Sequence, residues 1–485
     1  MNAKKIFSKW ALALLVFGFG MNSNANNLQI TGTAVTGSNI SFNVSWDNSW
    51  NASLAPSNWD AVWIFVKYQD CATRQWYHAA IATTGNSTVS PLQVDLVSDA
   101  KGVFLRRSAV GGGNIASTAV TLALNIPAGT YNYKVYGVEM VHIPQSDFQV
   151  GDGTSTSTYS SITVNAASQS GGISAATLGG ASVNLPATFP MGYNSFYSMK
   201  YEISQEQYVE FLNALTYDQQ KERTSIDPIA AAGTGAFSTN AGNRNGIKLI
   251  TPGNNNTIPG VFACDATNGV ENNIDDGQNV AMNFMSWGDL AAYLDWSCLR
   301  PMTELEYEKI CRGTMPRVAG EYPWGTTEYN SYVIASLAPG TAYKPNENFA
   351  TVVNGRNMHN VASVYAGITY GPARVGVFAS SSTGRASSGA AYYGVMEMSG
   401  NVWERAVTTG NASGATFTGT LGDGLLSVTG DADVISWPST TSVGVGLRGN
   451  AYYNPSINPS RTSDRTNATT VSNTRLSTYG GRGVR

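Results

Sequence analysis

Between residues 26 and 137 the chain breaks into short runs of β-branched and aromatic residues punctuated by Gly, Pro and Asn. Residues 40–46 (Ile-Ser-Phe-Asn-Val-Ser-Trp) and 131–136 (Tyr-Asn-Tyr-Lys-Val-Tyr) alternate with a period of two, and residues 61–67 and 120–125 share their composition. That period turns successive side chains to opposite faces of a strand, so one face can be buried. A set of antiparallel strands over about 110 residues predicts a β-sandwich. Gly111-Gly112-Gly113 and Pro127-Ala128-Gly129 read as turns. Trp46, Trp50, Trp59, Trp63 and Trp76 read as sandwich core, with an aromatic stripe lining a carbohydrate platform as the alternative.

Further along, the pattern changes. Ser204 followed by Gln207 forms a capping-box signature, and Tyr208, Phe211, Leu212 and Leu215 then fall on one helical face. A second helix is signalled over residues 286–296, and a third starts at Thr303, with Glu306 three residues on, and runs to Cys311. Beyond Gly313 helical patterns are few, and no internal repeat is present. Residues 153–188 are rich in Gly, Ser and Thr and read as a surface insertion. Charged residues make up only 13% of the chain and Gly numbers 51, a balance suited to a loop-rich extracellular protein. The expected fold class is α+β, and 485 residues imply more than one domain.

The first 25 residues predict a signal peptide: Lys4, Lys5 and Lys9 precede an apolar run from Trp10 to Phe19, and Ser23-Asn24-Ala25 supplies a small-residue cleavage site. The expectation is export to the periplasm, cell surface or extracellular space. That apolar run is too short to span a bilayer, and no later stretch is apolar enough. A net charge of −3 gives no footprint for nucleic acid or anionic lipid. Cys71, Cys264, Cys298 and Cys311 are not spaced as CxxC, so they read as buried thiols or one disulfide. His78, His142 and His359 are scattered, and His142 falls within a predicted strand as a structural residue.

Several segments carry a resemblance when taken in order. They are residues 138–152, 196–212, Asn283-Phe-Met-Ser-Trp287, and Arg300-Pro-Met-Thr-Glu-Leu-Glu-Tyr-Glu-Lys-Ile-Cys-Arg-Gly313. Tyr322-Pro-Trp-Gly325, Arg374-Val-Gly-Val-Phe378, Tyr393-Gly-Val-Met-Glu-Met-Ser-Gly-Asn-Val-Trp-Glu404, Leu447-Arg-Gly449 and Gly480-Gly-Arg-Gly-Val-Arg485 complete the series. Together they resemble the formylglycine-generating enzyme, or sulfatase-modifying factor, family. The resemblance spans residues 138–485 and implies a loop-rich domain related to C-type lectins, behind the N-terminal sandwich of residues 26–137.

The resemblance also implies sites. Family members hold a structural calcium at positions matching Glu397, Gly400, Val402 and Glu404, using carboxylate and turn-carbonyl oxygens suited to that ion. A second calcium would fall at Asn348 and Phe349, although its matching Asp is missing. The family's copper-binding cysteines correspond to Asn454 and Pro459, and its active-site Ser to Ala451. Soft thiolates hold Cu(I), whereas an amide and a pyrrolidine do not, so copper is not expected. No Gly-x-Ser-x-Gly elbow offers another nucleophile. The expected function is therefore a secreted, non-catalytic binding or adhesion protein. Its peptide, glycan or protein ligand would meet Tyr452, Tyr453, Asn454, Asn458 and Arg461. A structural subunit that self-assembles at the cell surface and a divergent enzyme of the family are the alternatives.

Overall fold

A computed structural model describes residues 27–153, 157–237, 243–254, 257–267, 269–359 and 370–485; the signal peptide expected over residues 1–25 lies outside them. Two antiparallel sheets build the N-terminal part. The first contains Gln29–Thr36, Asn39–Asn51 and Gly111–Asn125, with Ala80–Ile81 and Ser87–Thr88 paired to the last of these. The second runs Phe196–Met199, Tyr131–Ile143, Asp60–Asp70, Val103–Arg107 and Leu92–Leu96. The expected strands are thus present and antiparallel. Gly111 to Gly113, read as a turn, instead pair as a strand with Asn51, Trp50 and Ser49, because Gly permits extended backbone as readily as a turn.

The second sheet is buried on both faces. Val62, Ile64 and Val66 turn toward Ile40, Phe42, Val44 and Trp46 of the first sheet and close the sandwich core. Ala61, Trp63 and Phe65 turn the other way, onto Tyr208, Phe211, Tyr293 and Trp296 of the helical layer. Period two on the strand Asp60–Asp70 is therefore masked, since each face meets its own core. Trp63 donates its indole N–H to the Ser297 carbonyl at 2.9 Å, and the rings of Phe65 and Trp296 meet edge to face at 5.2 Å. Of the five tryptophans, Trp46 belongs to the sandwich core, whereas Trp63 serves the interface with the helices.

The strand Tyr131–Ile143 crosses the expected domain boundary at residue 137. It pairs with Asp60–Asp70 on one side, Trp63 opposite Val138, and with Phe196–Met199 on the other, His142 opposite Tyr197. The described residues 157–188, expected as part of a surface insertion, pack into the domain. They form Ile162–Val164, Ala166–Gly171 and Ala175–Leu178, and bury Ile173, Leu178 and Leu185, with Phe189 just beyond, beside Leu305. A few apolar anchors among the Gly and Ser suffice to fold such a stretch against an existing surface.

The three expected helices occur at Gln205–Leu212, Trp287–Trp296 and Glu304–Arg312, each with a reciprocal capping box. A fourth, Tyr217–Arg223, starts at a Thr216–Gln219 box that periodicity does not reveal. After Gly313 regular structure is sparse, and buried ion pairs tie the loops to the helix Glu304–Arg312. Glu304 binds Arg448 at 3.1 Å and Arg465 at 2.8 Å, while Glu308 binds Arg448 at 3.3 Å and Arg312 at 3.1 Å. Arg312 also pairs with Glu321. Each charge is thus matched inside the protein, as buried charge requires. Among the described residues no helix is long and apolar enough to cross a membrane.

Candidate functional site

The turn of residues 397–404 and the segment of residues 449–461 are far apart in type but lie against each other. Gly400 donates its N–H to the Gly449 carbonyl at 2.7 Å, and Tyr452 N–H reaches the Asn401 carbonyl at 2.8 Å. Ser399 Oγ donates to the Ser460 carbonyl at 2.9 Å. Gly400 sits at φ +81°, and a Cβ there would lie 2.6 Å from the Met358 carbonyl, so the tight turn requires glycine. Trp403 packs with Leu447, Ala451 and Tyr479 in a small separate core.

Three buried carboxylates surround this turn. Glu202, unremarked in the sequence, accepts from Val402 N–H at 3.0 Å and from Asn401 Nδ2 at 2.6 Å. Glu397 accepts from Gly376 N–H at 2.9 Å through one oxygen, and Glu404 from Arg482 Nε at 2.6 Å through one oxygen. The second oxygens, Glu397 Oε2 and Glu404 Oε2, are buried without a hydrogen-bond partner. Burial pushes the Glu397 carboxyl up to about 7. Burial also raises Glu404, and raises Glu202 well above the usual carboxylate range with repulsion from Glu404 adding to it. Buried carboxylate oxygens left without partners are of the hard type that a divalent cation takes as ligands. Among the described residues no three or more His, Cys, Asp or Glu side chains converge on a metal position. A cation here would therefore depend on two carboxylates supplemented by main-chain oxygens.

Asn348 and Phe349 present a different picture. The Asn348 amide donates to the Asn346 carbonyl at 2.8 Å. Phe349 is buried against Phe378 and Tyr332, with ring centroids 5.2 and 5.0 Å away.

Of the five expected ligand contacts, Tyr453 and Asn458 are exposed, Tyr453 at 41%. Asn454 and Arg461 are half-buried. Tyr452 is only 4% exposed, and its hydroxyl donates to Asn243 Oδ1 at 3.3 Å. It anchors the segment instead of forming its surface, because the main-chain bond to Asn401 turns the side chain inward. Ala451 and Pro459, at the family's Ser and Cys positions, are buried, and Asn454 Oδ1 is spent on Ser456 N–H at 2.9 Å. Beneath the segment lies His359, which its isolation in the sequence concealed. Its ring is buried without hydrogen-bond geometry at either nitrogen, and burial lowers its pKa to about 4. Ser460 Oγ accepts from Asn450 Nδ2 at 2.9 Å. The segment thus offers no thiol, and its histidine stays neutral at ordinary pH.

His142 stacks on Trp59, centroids 4.0 Å apart, the structural place its strand position predicts. Cys264, Cys298 and Cys311 are buried and unpaired, and Cys71 is exposed.

Residues 137–485 match the sulfatase-modifying factor enzyme 1-like domain, which is most of the chain. The protein belongs to that family, with an N-terminal β-sheet region preceding the domain. No curated protein matches the chain.

Proposed function

We propose that this is an exported, non-catalytic member of the sulfatase-modifying factor family, whose C-terminal domain binds a peptide, glycan or protein ligand. The observation that carries the reading is the segment of residues 449–461. It is locked to a rigid turn by main-chain bonds, yet Tyr453 and Asn458 are turned outward where the family places its thiol chemistry. A fixed Tyr and adaptable amides give contact area at little entropic cost. Asn454 and Pro459 replace the cysteines, and no cysteine follows Cys311. The turn beside the segment is the place for calcium, through Glu397, Glu404 and the carbonyls of Gly400 and Val402. Neutralising these carboxylates would stiffen the surface that bears the ligand face.

The test is display of random peptides and an array of glycans against the full mature chain, then against Tyr453→Ala and Asn458→Ala. A ligand lost in both variants, with unchanged melting, supports the reading. Turnover of a cysteine-containing sulfatase peptide with copper and oxygen overturns it. A second reading, a subunit of a surface assembly, draws on exposed Val428 and Ile435 and half-exposed Leu425. Polymers on sizing that disperse in Ile435→Lys would favour it.

A further inference from the structure

A cavity that none of residues 449–461 lines lies where the N-terminal sheets meet the C-terminal domain. It encloses about 480 Å³ and is lined from one side by Asn48 and Trp50 and from the other by Lys200, Tyr201, Ser381 and Tyr392. A volume of this order is typical of small-molecule sites.

Its walls are aromatic and held in place. Trp50 donates its indole N–H to Asn58 Oδ1 at 3.2 Å. Gly394 leaves room for the ring, because a Cβ there would sit 3.1 Å from Trp50 Cζ2. Lys200 is buried at the floor, its Nζ 5.0 Å from the Trp50 ring centroid and 5.4 Å from that of Tyr201. Its ion pairs to Asp60 and Glu139, at 3.7 and 3.6 Å, hold its charge inside the protein behind the aromatic walls. At the rim, the Asn48 carboxamide and Ser381 hydroxyl have no hydrogen-bond partner among the described residues.

Charge and polarity narrow the ligand. Lys200 is the one charged side chain among the described lining residues, and Asp60 and Glu139 beside it offset its charge, so neither an anion nor a cation gains by entering. A wholly apolar ligand would strip water from the amide and hydroxyl without replacing its hydrogen bonds. What remains is an uncharged ring with C–H faces for the aromatics and hydroxyls for the polar groups.

We propose that this cavity binds a neutral saccharide of one or two pyranose units. Trp50 and Tyr392 cover its ring faces, and Asn48 and Ser381 engage its hydroxyls. This site does not depend on the ligand face around Tyr453.

The experiment titrates the full mature chain with methyl glucoside, methyl mannoside, methyl galactoside, methyl N-acetylglucosaminide, cellobiose and maltose. Saturation-transfer NMR and calorimetry supply the readout. At least one sugar should bind saturably. Binding should weaken at least tenfold in Trp50→Phe, and also in Ser381→Trp, which plugs the mouth from an exposed loop and keeps the melting midpoint. Tyr453→Ala should leave the signal unchanged, which separates this site from the other. The proposal is overturned if none of these sugars saturates, if only glucuronate or sialyllactose binds, or if Ser381→Trp binds as wild type does.

Discussion

Replacing Glu397 with Gln should remove one distinct part of the pH dependence of stability, and the response to calcium with it. Burial is the first cause of the raised Glu397 pKa, and nearby Glu404 adds to it, against the opposing pull of Gly376 N–H, Arg482 and Arg374. The carboxyl moves from 4.5 to about 7 on folding, so the folded chain keeps a proton that the unfolded chain releases. Its contribution is fully present below pH 4.5 and is lost as pH rises through about 7. At about 1.4 kcal/mol per tenfold change in affinity, the loss by pH 8.5 is about 3 kcal/mol. A bound cation would remove that penalty, and at a hundredfold excess over its Kd it would add about 2.7 kcal/mol. The assay is urea unfolding at pH 4.5 and 8.5, each with EGTA or calcium. Glu139 and Asp295 are also raised to about 7 by burial, so the difference between wild type and variant isolates Glu397. A Glu397→Gln protein with the full wild-type pH dependence would refute the burial argument. Equal calcium shifts in both proteins would refute the cation site.

Four more outcomes are expected. Arg448→Met leaves two buried glutamates short of a partner and should cost about 3 kcal/mol in urea unfolding, with partial recovery in the double variant with Glu308→Gln. Although burial opposes it, pairing with Arg465 and Arg448 lowers the Glu304 carboxyl to about 2. Its contribution is therefore present above pH 4.5 and lost as pH falls toward 2, and Glu304→Gln should erase roughly 3 kcal/mol of acid sensitivity in low-pH melts. Gly400→Ala forces a side chain against the Met358 carbonyl at positive φ and should lower the urea midpoint by an amount equal to about 2 kcal/mol or more. Trp63→Ala should cost about 3 to 5 kcal/mol, and calorimetry should still record one transition, because the sheet bearing Trp63 is core to both halves.

Much of the local structure was legible in the residues. Ser204 and Thr303 announce their helices because a capping side chain and its partner three positions on satisfy exposed backbone donors without outside help. Gly400 could be read as a sharp turn, and the absent thiols at Asn454 and Pro459 follow from residue identity. Thr216, by contrast, caps a helix whose apolar stripe is too short for periodicity to register. The inward turn of Tyr452 and the carboxylate of Glu202 depend on partners 51 and roughly two hundred residues away along the chain, which no local pattern encodes.

By itself, then, the sequence determined the strands before residue 137, the capped helices, the family and the residues that stand in place of its thiols. Each rests on neighbours along the chain or on chemical identity. Tertiary structure alone decided that the two halves share one doubly buried sheet. It also decided that Glu202 joins Glu397 and Glu404, and that Trp50 packs on the C-terminal core while walling a cavity. Those outcomes depend on which faces meet after the chain collapses, and burial then sets the charge state of every carboxylate at the turn.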